Sequence, residues 1–187
     1  MVAAVLVTRN VLDRPPGGYV SGNIPMQGMA DTGATTAAPD APRDLSKVTD
    51  AELEAVVDAN PRVVGMRLAL AQRYTEKNRY DLALVHYAKA LELEPGNAEA
   101  QAHLGWLNFQ VGRTKEAARF VDAAVEADPK NPDALWFQAN VRLDGTNDPA
   151  GALDALDALA ELDGLGPTVR RQVAALRAEA SRKLEAR

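Results

Sequence analysis

The stretch "ALELEPGNAEAQAHLGW", Ala90 to Trp106, breaks what reads as one long helix with "EPGN" and restarts it at once. Two relatives of that break stand elsewhere. "DANP" ends at Pro61 and "EADPKN" carries Pro129, so Pro61, Pro95 and Pro129 recur every 34 residues. A fixed period of this size marks a stacked supersecondary unit and takes precedence over local propensity. Sliding the chain by one period lays Leu70 on Leu104, Ala71 on Gly105 and Ala139, and Tyr74 on Asn108. It also lays Ala83 on Ala117, Tyr87 on Val121 and Ala90 on Ala124, so small residues mostly fall on small and large on large.

Small residues at fixed positions let two helix backbones approach closely, while Tyr74, Tyr87 and Leu104 fill the space beside them. Proline forbids continuation of a helix, and the "GN" or "KN" after it supplies a turn. The pattern predicts helices over 64–77, 80–93, 98–111, 114–127, 132–144 and 149–162. The third unit fits better with one extra residue around "GTNDP", which turns Ala152, Leu156 and Leu159 to the core.

These residues resemble the tetratricopeptide repeats. The matching positions are Leu70, Ala71, Tyr74, Ala83, Tyr87, Ala90 and Pro95 in the first repeat, and Leu104, Gly105, Ala117, Ala124 and Pro129 in the second. The resemblance covers roughly Val64 to Asp163. It implies an all-α, right-handed solenoid of about three hairpins, with repeats near 64–97, 98–131 and 132–165. The chain departs from the family pattern where a tryptophan is usual: Arg67, Gln101 and Leu135 stand there, which predicts looser packing in that layer. Gln138 replaces the leucine of the other two repeats.

Caps are expected at both ends, in a domain spanning 46–187. Thr49 and Glu52 form a capping box before a helix over about 49–60 whose face is Leu53, Val56 and Val57. Pro167 opens a final helix, to about 185, with Val169, Val173, Leu176, Ala180 and Leu184 on one stripe. The stretch from Pro167 to Arg187 carries six cations against two carboxylates in a chain of net charge −5. Its polar face reads first as solvated, and second as a surface for a membrane or an acidic partner.

Upstream, 13–45 is rich in Pro, Gly, Ala and Thr and reads as a linker, since it cannot bury enough apolar surface to offset its ordering. Within it "YVSGNIPM", Tyr19 to Met26, could dock as an extended segment on the domain or on a neighbouring copy. The terminus 1–12 begins with an apolar run far short of the roughly 20 residues a spanning helix needs. Two readings stand for it: a frayed end of a cytoplasmic protein, or the remnant of a membrane anchor followed by Arg9.

The pI near 5.1 argues against nucleic acid as partner, because a backbone-binding surface needs dense Lys and Arg. Without cysteine there is no disulfide, thiol nucleophile or thiolate metal site. His86 and His103 lie on different helices without acids at ligand spacing, so no metal, cofactor or catalytic residue is expected and the chain reads as non-enzymatic.

Solenoids bind on the concave face lined by the first helix of each hairpin. The 34-residue register puts Leu68, Gln72, Thr75, Trp106, Phe109, Trp136 and Asn140 there, with Glu99 and Asp133 in the first row and His103 and Phe137 at the edge. Both tryptophans of the chain fall in this set, the residue type that anchors peptides. The competing reading has them covered by another segment. Some domains of the family hold a chaperone's C-terminal carboxylate with Lys, Arg and Asn. The matching rows here offer Leu68, Gln72, His103, Asp133 and Phe137, so such clamping is not expected.

The apolar segment ending in arginine, the "GGYVSGN" stretch and the acidic repeats together resemble the outward-facing part of membrane-anchored bacterial cytochrome c biogenesis proteins. That resemblance implies an extracytoplasmic repeat domain holding the tail of apocytochrome c. The alternative is a structural homo-oligomer assembled through the groove or the end helices. Three repeats are near the minimum for a stable stack, so both caps should matter. Deleting Thr168 to Arg187 is expected to lower the melting temperature substantially; an unchanged melting curve would show that the last helix is no cap.

Overall fold

The computed structural model describes residues 48–186, and the chain divides at Thr49, after which the helical unit begins. The apolar terminus, the linker and Tyr19–Met26 lie outside the described residues. From Asp50 the unit contains eight α-helices: α1 (Asp50–Ala59), α2 (Val64–Glu76), α3 (Tyr80–Leu93), α4 (Ala98–Gln110), α5 (Thr114–Ala127), α6 (Pro132–Asn140), α7 (Pro149–Ala160) and α8 (Pro167–Glu185). A single π-helical turn, Val141–Gly145, extends α6. Among the described residues there is no strand. The fold is an α-solenoid of three hairpins, α2–α3, α4–α5 and α6–α7, with α1 and α8 on the outer ends.

Helix starts repeat with the sequence. Asn97 caps α4 by accepting the Ala100 N–H at 2.9 Å, and Asn131 caps α6 by accepting that of Ala134 at 3.0 Å. Thus in "EPGN" and "DPKN" the proline stops one helix and the asparagine starts the next, by satisfying a donor that the first turn leaves open. Inside each hairpin the first helix closes through a left-handed residue, Asn78 (φ 58°), Gly112 (φ 78°) or Asn147 (φ 53°). The following N–H reaches back to Tyr74 at 2.8 Å, Asn108 at 2.8 Å and Arg142 at 2.7 Å. Those acceptors keep the 34-residue step, whereas the third left-handed residue arrives one position late. The π turn absorbs the inserted residue, as such bulges do, and Ala152, Leu156 and Leu159 are returned to full burial.

The core is built on small residues. Ala71, Ala83, Ala90, Ala100, Ala117, Ala124 and Ala139 have no exposed surface, and the fully buried Tyr74 and Tyr87 pack among them. The closest approach is at Gly105, where a Cβ would lie 2.6 Å from Val121 Cγ1, 3.0 Å from the Val121 nitrogen and 3.1 Å from the Ala117 oxygen. At the equivalent positions Ala71 and Ala139 are accommodated, so α4 and α5 are the hairpin whose backbones demand glycine.

The layer expected to pack loosely does not. Arg67 Nε and Nη2 donate to the Pro61 carbonyl at 3.1 and 3.0 Å, and 34 residues later Gln101 Nε2 donates to the Pro95 carbonyl at 2.8 Å. In the first two repeats a polar side chain takes the usual tryptophan's place by tying the start of the repeat to the proline that ends the element before it. Leu135, in the third repeat, is simply buried. Gln138 is satisfied too: its Nε2 donates to Asp122 at 2.7 Å, and Asp122 also receives Arg142 at 2.9 Å. Arg142 reaches Asp148 at 3.2 Å, and Asp148 caps α7 at the Gly151 N–H.

At the ends, the Tyr74 hydroxyl donates to Glu54 of α1, while Asp50 receives Arg73 and Lys77, each at 2.7 Å. On α8, Val173, Leu176 and Ala180 are buried, Arg177 pairs with Asp157 at 2.9 Å, and Lys183 pairs with Asp144 at 2.8 Å. Leu184 departs from the expected stripe at 40% exposure, because α8, with 19 residues, outruns the 12 of α7. Gly105→Ala is expected to destabilise the fold by about 1–3 kcal/mol through overpacking. Gly65→Ala, with nothing within 4 Å, is expected to be neutral or slightly stabilising, and chemical denaturation of both variants checks the contrast.

Candidate groove on the first helices

The first helices of the second and third repeats, α4 and α6, lie directly against one another. Their shared side is the one toward which stacked hairpins curve. Along it runs a continuous set of ring contacts. Tyr87 of α3 stacks on His103 of α4 (centroids 5.0 Å apart, planes 8°), and His103 meets Phe137 of α6 edge-on at 5.4 Å. Phe137 stacks on Trp106 at 5.0 Å and 13°, and Trp106 leans on Phe109 at 5.6 Å. Offset and edge-to-face pairs of this kind are the favoured aromatic arrangements. Phe109 is seated by Gly145, where a Cβ would come within 3.0 Å of its ring.

Trp106, Phe109 and His103 therefore belong to one aromatic row whose middle link is Phe137, a residue the register places only at the groove's edge. Trp106 and Trp136 are each 5% exposed, Leu68 is buried, and Gln72, Thr75, His103 and Phe109 are half-buried. Asn140 is buried, and its Nδ2 donates to the Trp136 carbonyl one turn back at 2.7 Å, so its N–H is committed to its own helix. Gln72 reaches Glu76 at 3.4 Å and Thr75 donates to the Ala71 carbonyl at 3.0 Å. Trp136 differs: its indole Nε1 is buried without a hydrogen-bond partner. Buried donors are rarely left in that state.

Tyr87 carries a second buried polar group: its side chain has no exposed surface, and its hydroxyl lies beside Thr75. Burial pushes that hydroxyl far above the ordinary tyrosine range; Thr75 opposes the shift, and the charges of Glu99, Asp133 and Glu76 add to it. Tyr74 is likewise raised, to about 12, first by burial and then by its bond to Glu54. Among the described residues no group of three His, Asp or Glu side chains is placed to hold a metal. A separate cavity of about 470 Å³ lies between the loops before α6 and after α7, lined by Lys130, Pro132, Glu161 and Asp163 among others. It brings no aromatic and no buried polar group together.

His86 of α3 lies outside the row, stacked on Tyr74 at 5.7 Å, with its Nδ1 buried and unpartnered. Burial, then Arg67 and Lys89, hold its pKa below the ordinary 6.5. The unfolded chain thus binds this proton more readily than the folded one. The stability it contributes is present above 6.5 and is lost as pH falls through 6.5 toward the lower folded value.

Residues 74–141 match the family model of the tetratricopeptide repeat. No curated protein matches the chain. Among solved structures, it is similar to MamA at 20% identity, over 73% of this chain and 87% of that one, with a TM-score of 0.55. It is similar to YrrB, a repeat protein with an unusual peptide-binding site, at 24% identity over 74% of each chain, with a TM-score of 0.59. A third is the first repeat domain of Spaghetti (RPAP3), bound to the HSP90 peptide SRMEEVD, at 16% identity over 65% of this chain and 95% of that one, with a TM-score of 0.58. The helical unit has the tetratricopeptide-repeat fold. The His86 linkage gives one expected outcome here: the melting temperature falls between about pH 7.5 and about pH 5, and His86→Phe flattens part of that slope. A slope identical in the variant would show that His86 does not contribute.

Proposed function

We propose that this tetratricopeptide-repeat protein is a non-enzymatic scaffold that holds a peptide segment of a partner protein along α2, α4 and α6. The observations that carry this reading are the aromatic row from Tyr87 to Phe109 and, on α6, Trp136, whose buried indole N–H has no acceptor of its own. A rigid aromatic floor supplies contact area at low entropic cost, and a peptide backbone supplies the missing carbonyl. The similar structures support it, since one is described with a bound peptide and another by its peptide-binding site.

The partner we propose is the tail of apocytochrome c, held during cytochrome c maturation on the outer side of a bacterial membrane. The order of segments in the sequence supports this. Among the described residues no helix is long and apolar enough to cross a membrane, so an anchor would have to lie elsewhere. The scaffold would contribute no haem ligand and no cofactor; its part is to keep the tail extended and accessible.

Both tryptophans stand at the groove, so their fluorescence reports on it directly. Titrating the full chain with peptides that include C-terminal tails of c-type cytochromes is expected to give a saturable spectral shift. Trp106→Ala or Trp136→Ala is expected to weaken binding by more than about tenfold, the size of an interface hot spot. Emission that no peptide alters would overturn the scaffold reading, and binding by unrelated tails alone would overturn the cytochrome partner.

A further inference from the structure

The π turn that extends α6 is held from two sides and presses on a third. Arg142 within it donates to Asp122 of α5 at 2.9 Å and to Asp148, the cap of α7, at 3.2 Å. Asp144, two residues on, receives Lys183 of α8 at 2.8 Å. Next in sequence is Gly145, where a Cβ would come within 2.9 Å of Thr114 Cγ2 at the start of α5 and 3.0 Å of the Phe109 ring. Phe109 ends the aromatic row, with its ring 5.6 Å from that of Trp106. A line of direct contacts therefore runs from the last helix to the groove: Lys183 to Asp144, Gly145 to Phe109, and Phe109 to Trp106.

α8 reaches the preceding elements through Arg177 as well as Lys183, and the two ties land in different places. Arg177 pairs with Asp157 of α7 at 2.9 Å, and both side chains keep about half their surface, 55% and 49%. Lys183 lands on the turn, where Asp144 keeps only 18%, and Glu179 lies 3.5 Å from the same ammonium. A shielded pair loses less of its attraction to solvent than an exposed one. A π turn also interrupts the regular i to i−4 ladder of its helix, so ties from outside weigh more in fixing it.

Resting on the groove reading above, we infer that α8 positions the groove as well as capping the stack: Lys183, through Asp144, holds the π turn against Phe109 and so sets where the aromatic row ends. Lys183 and Asp144 are positioning residues that act on a peptide only through Phe109. Coupling of this kind is reciprocal, so a peptide lying on Phe109 tightens the docking of α8 in return.

The test compares Lys183→Met with Arg177→Met in the full chain. Each removes one tie of α8, and each is expected to lower the melting temperature slightly. Only Lys183→Met is expected to move the indole N–H signal of Trp106 in a proton–nitrogen NMR spectrum, because a displaced Phe109 ring changes the shielding there. Lys183→Arg is expected to restore the signal, and Asp144→Asn to reproduce the displacement. A labelled C-terminal tail of a c-type cytochrome is expected to bind Lys183→Met about three- to fivefold more weakly than the unaltered chain, and Arg177→Met as tightly. A Trp106 signal that stays in place in Lys183→Met, or that Arg177→Met moves as far, overturns the inference. Failure of the tail to bind the unaltered chain counts against the partner proposed above, and the Trp106 signal alone then decides the inference.

Discussion

Close approach of two helix backbones is the constraint on which this structure depends. Where Gly105 faces Ala117 and Val121 there is no room even for a methyl group, and the other hairpins use alanines at the matching positions. Because these contacts are so short, the large side chains are displaced to the flanks. Tyr87 then joins the first hairpin to the second through its stacking on His103, while Tyr74 ties the first hairpin to α1 through Glu54. The aromatic row across α4 and α6 continues that inter-repeat packing. The same contacts that stack the repeats thus build the floor of the groove.

The third repeat shows how such a period tolerates an insertion. One extra residue would rotate everything after it by about 100° around the helix, taking Leu156 and Leu159 off the core. The π turn at Val141–Gly145 absorbs it before α7 begins, and Arg142 within that turn ties Asp122 to Asp148. Gly145 also seats Phe109, so the turn that restores the register supports one end of the groove. The polar network around Gln138 stands where the other repeats place an apolar leucine, and its side-chain bonds replace that packing.

Much of the architecture was legible in the chain. Three prolines at equal spacing located the hairpins, and alanine or glycine at fixed offsets located their contacts. The insertion was visible as a fault in the period, but its form was not, since a longer loop would fit the same letters. Arg67 and Gln101 were misleading because they depart from the usual tryptophan, and their bonds to Pro61 and Pro95 exist only once the turn has folded. For the candidate groove, the 34-residue register listed the residues on α2, α4 and α6 and put Phe137 at the edge. Its place in the middle of the row depends on how α6 leans on α4, which spacing along one helix does not specify. The unpartnered Trp136 N–H was likewise invisible, because a missing partner is a property of the folded surroundings.

The central idea is that a peptide completes this groove. The most direct test is the indole N–H signal of Trp136 in a proton–nitrogen NMR spectrum of the full chain, followed as a cytochrome-tail peptide is added. With only two tryptophans, both indole signals are assigned by Trp106→Phe and Trp136→Phe. The account predicts a saturable downfield movement of the Trp136 signal as its donor gains a carbonyl, together with a smaller change at Trp106 from the altered aromatic surroundings. Both indole signals standing still while the peptide demonstrably binds would place the interaction on another surface and contradict the account.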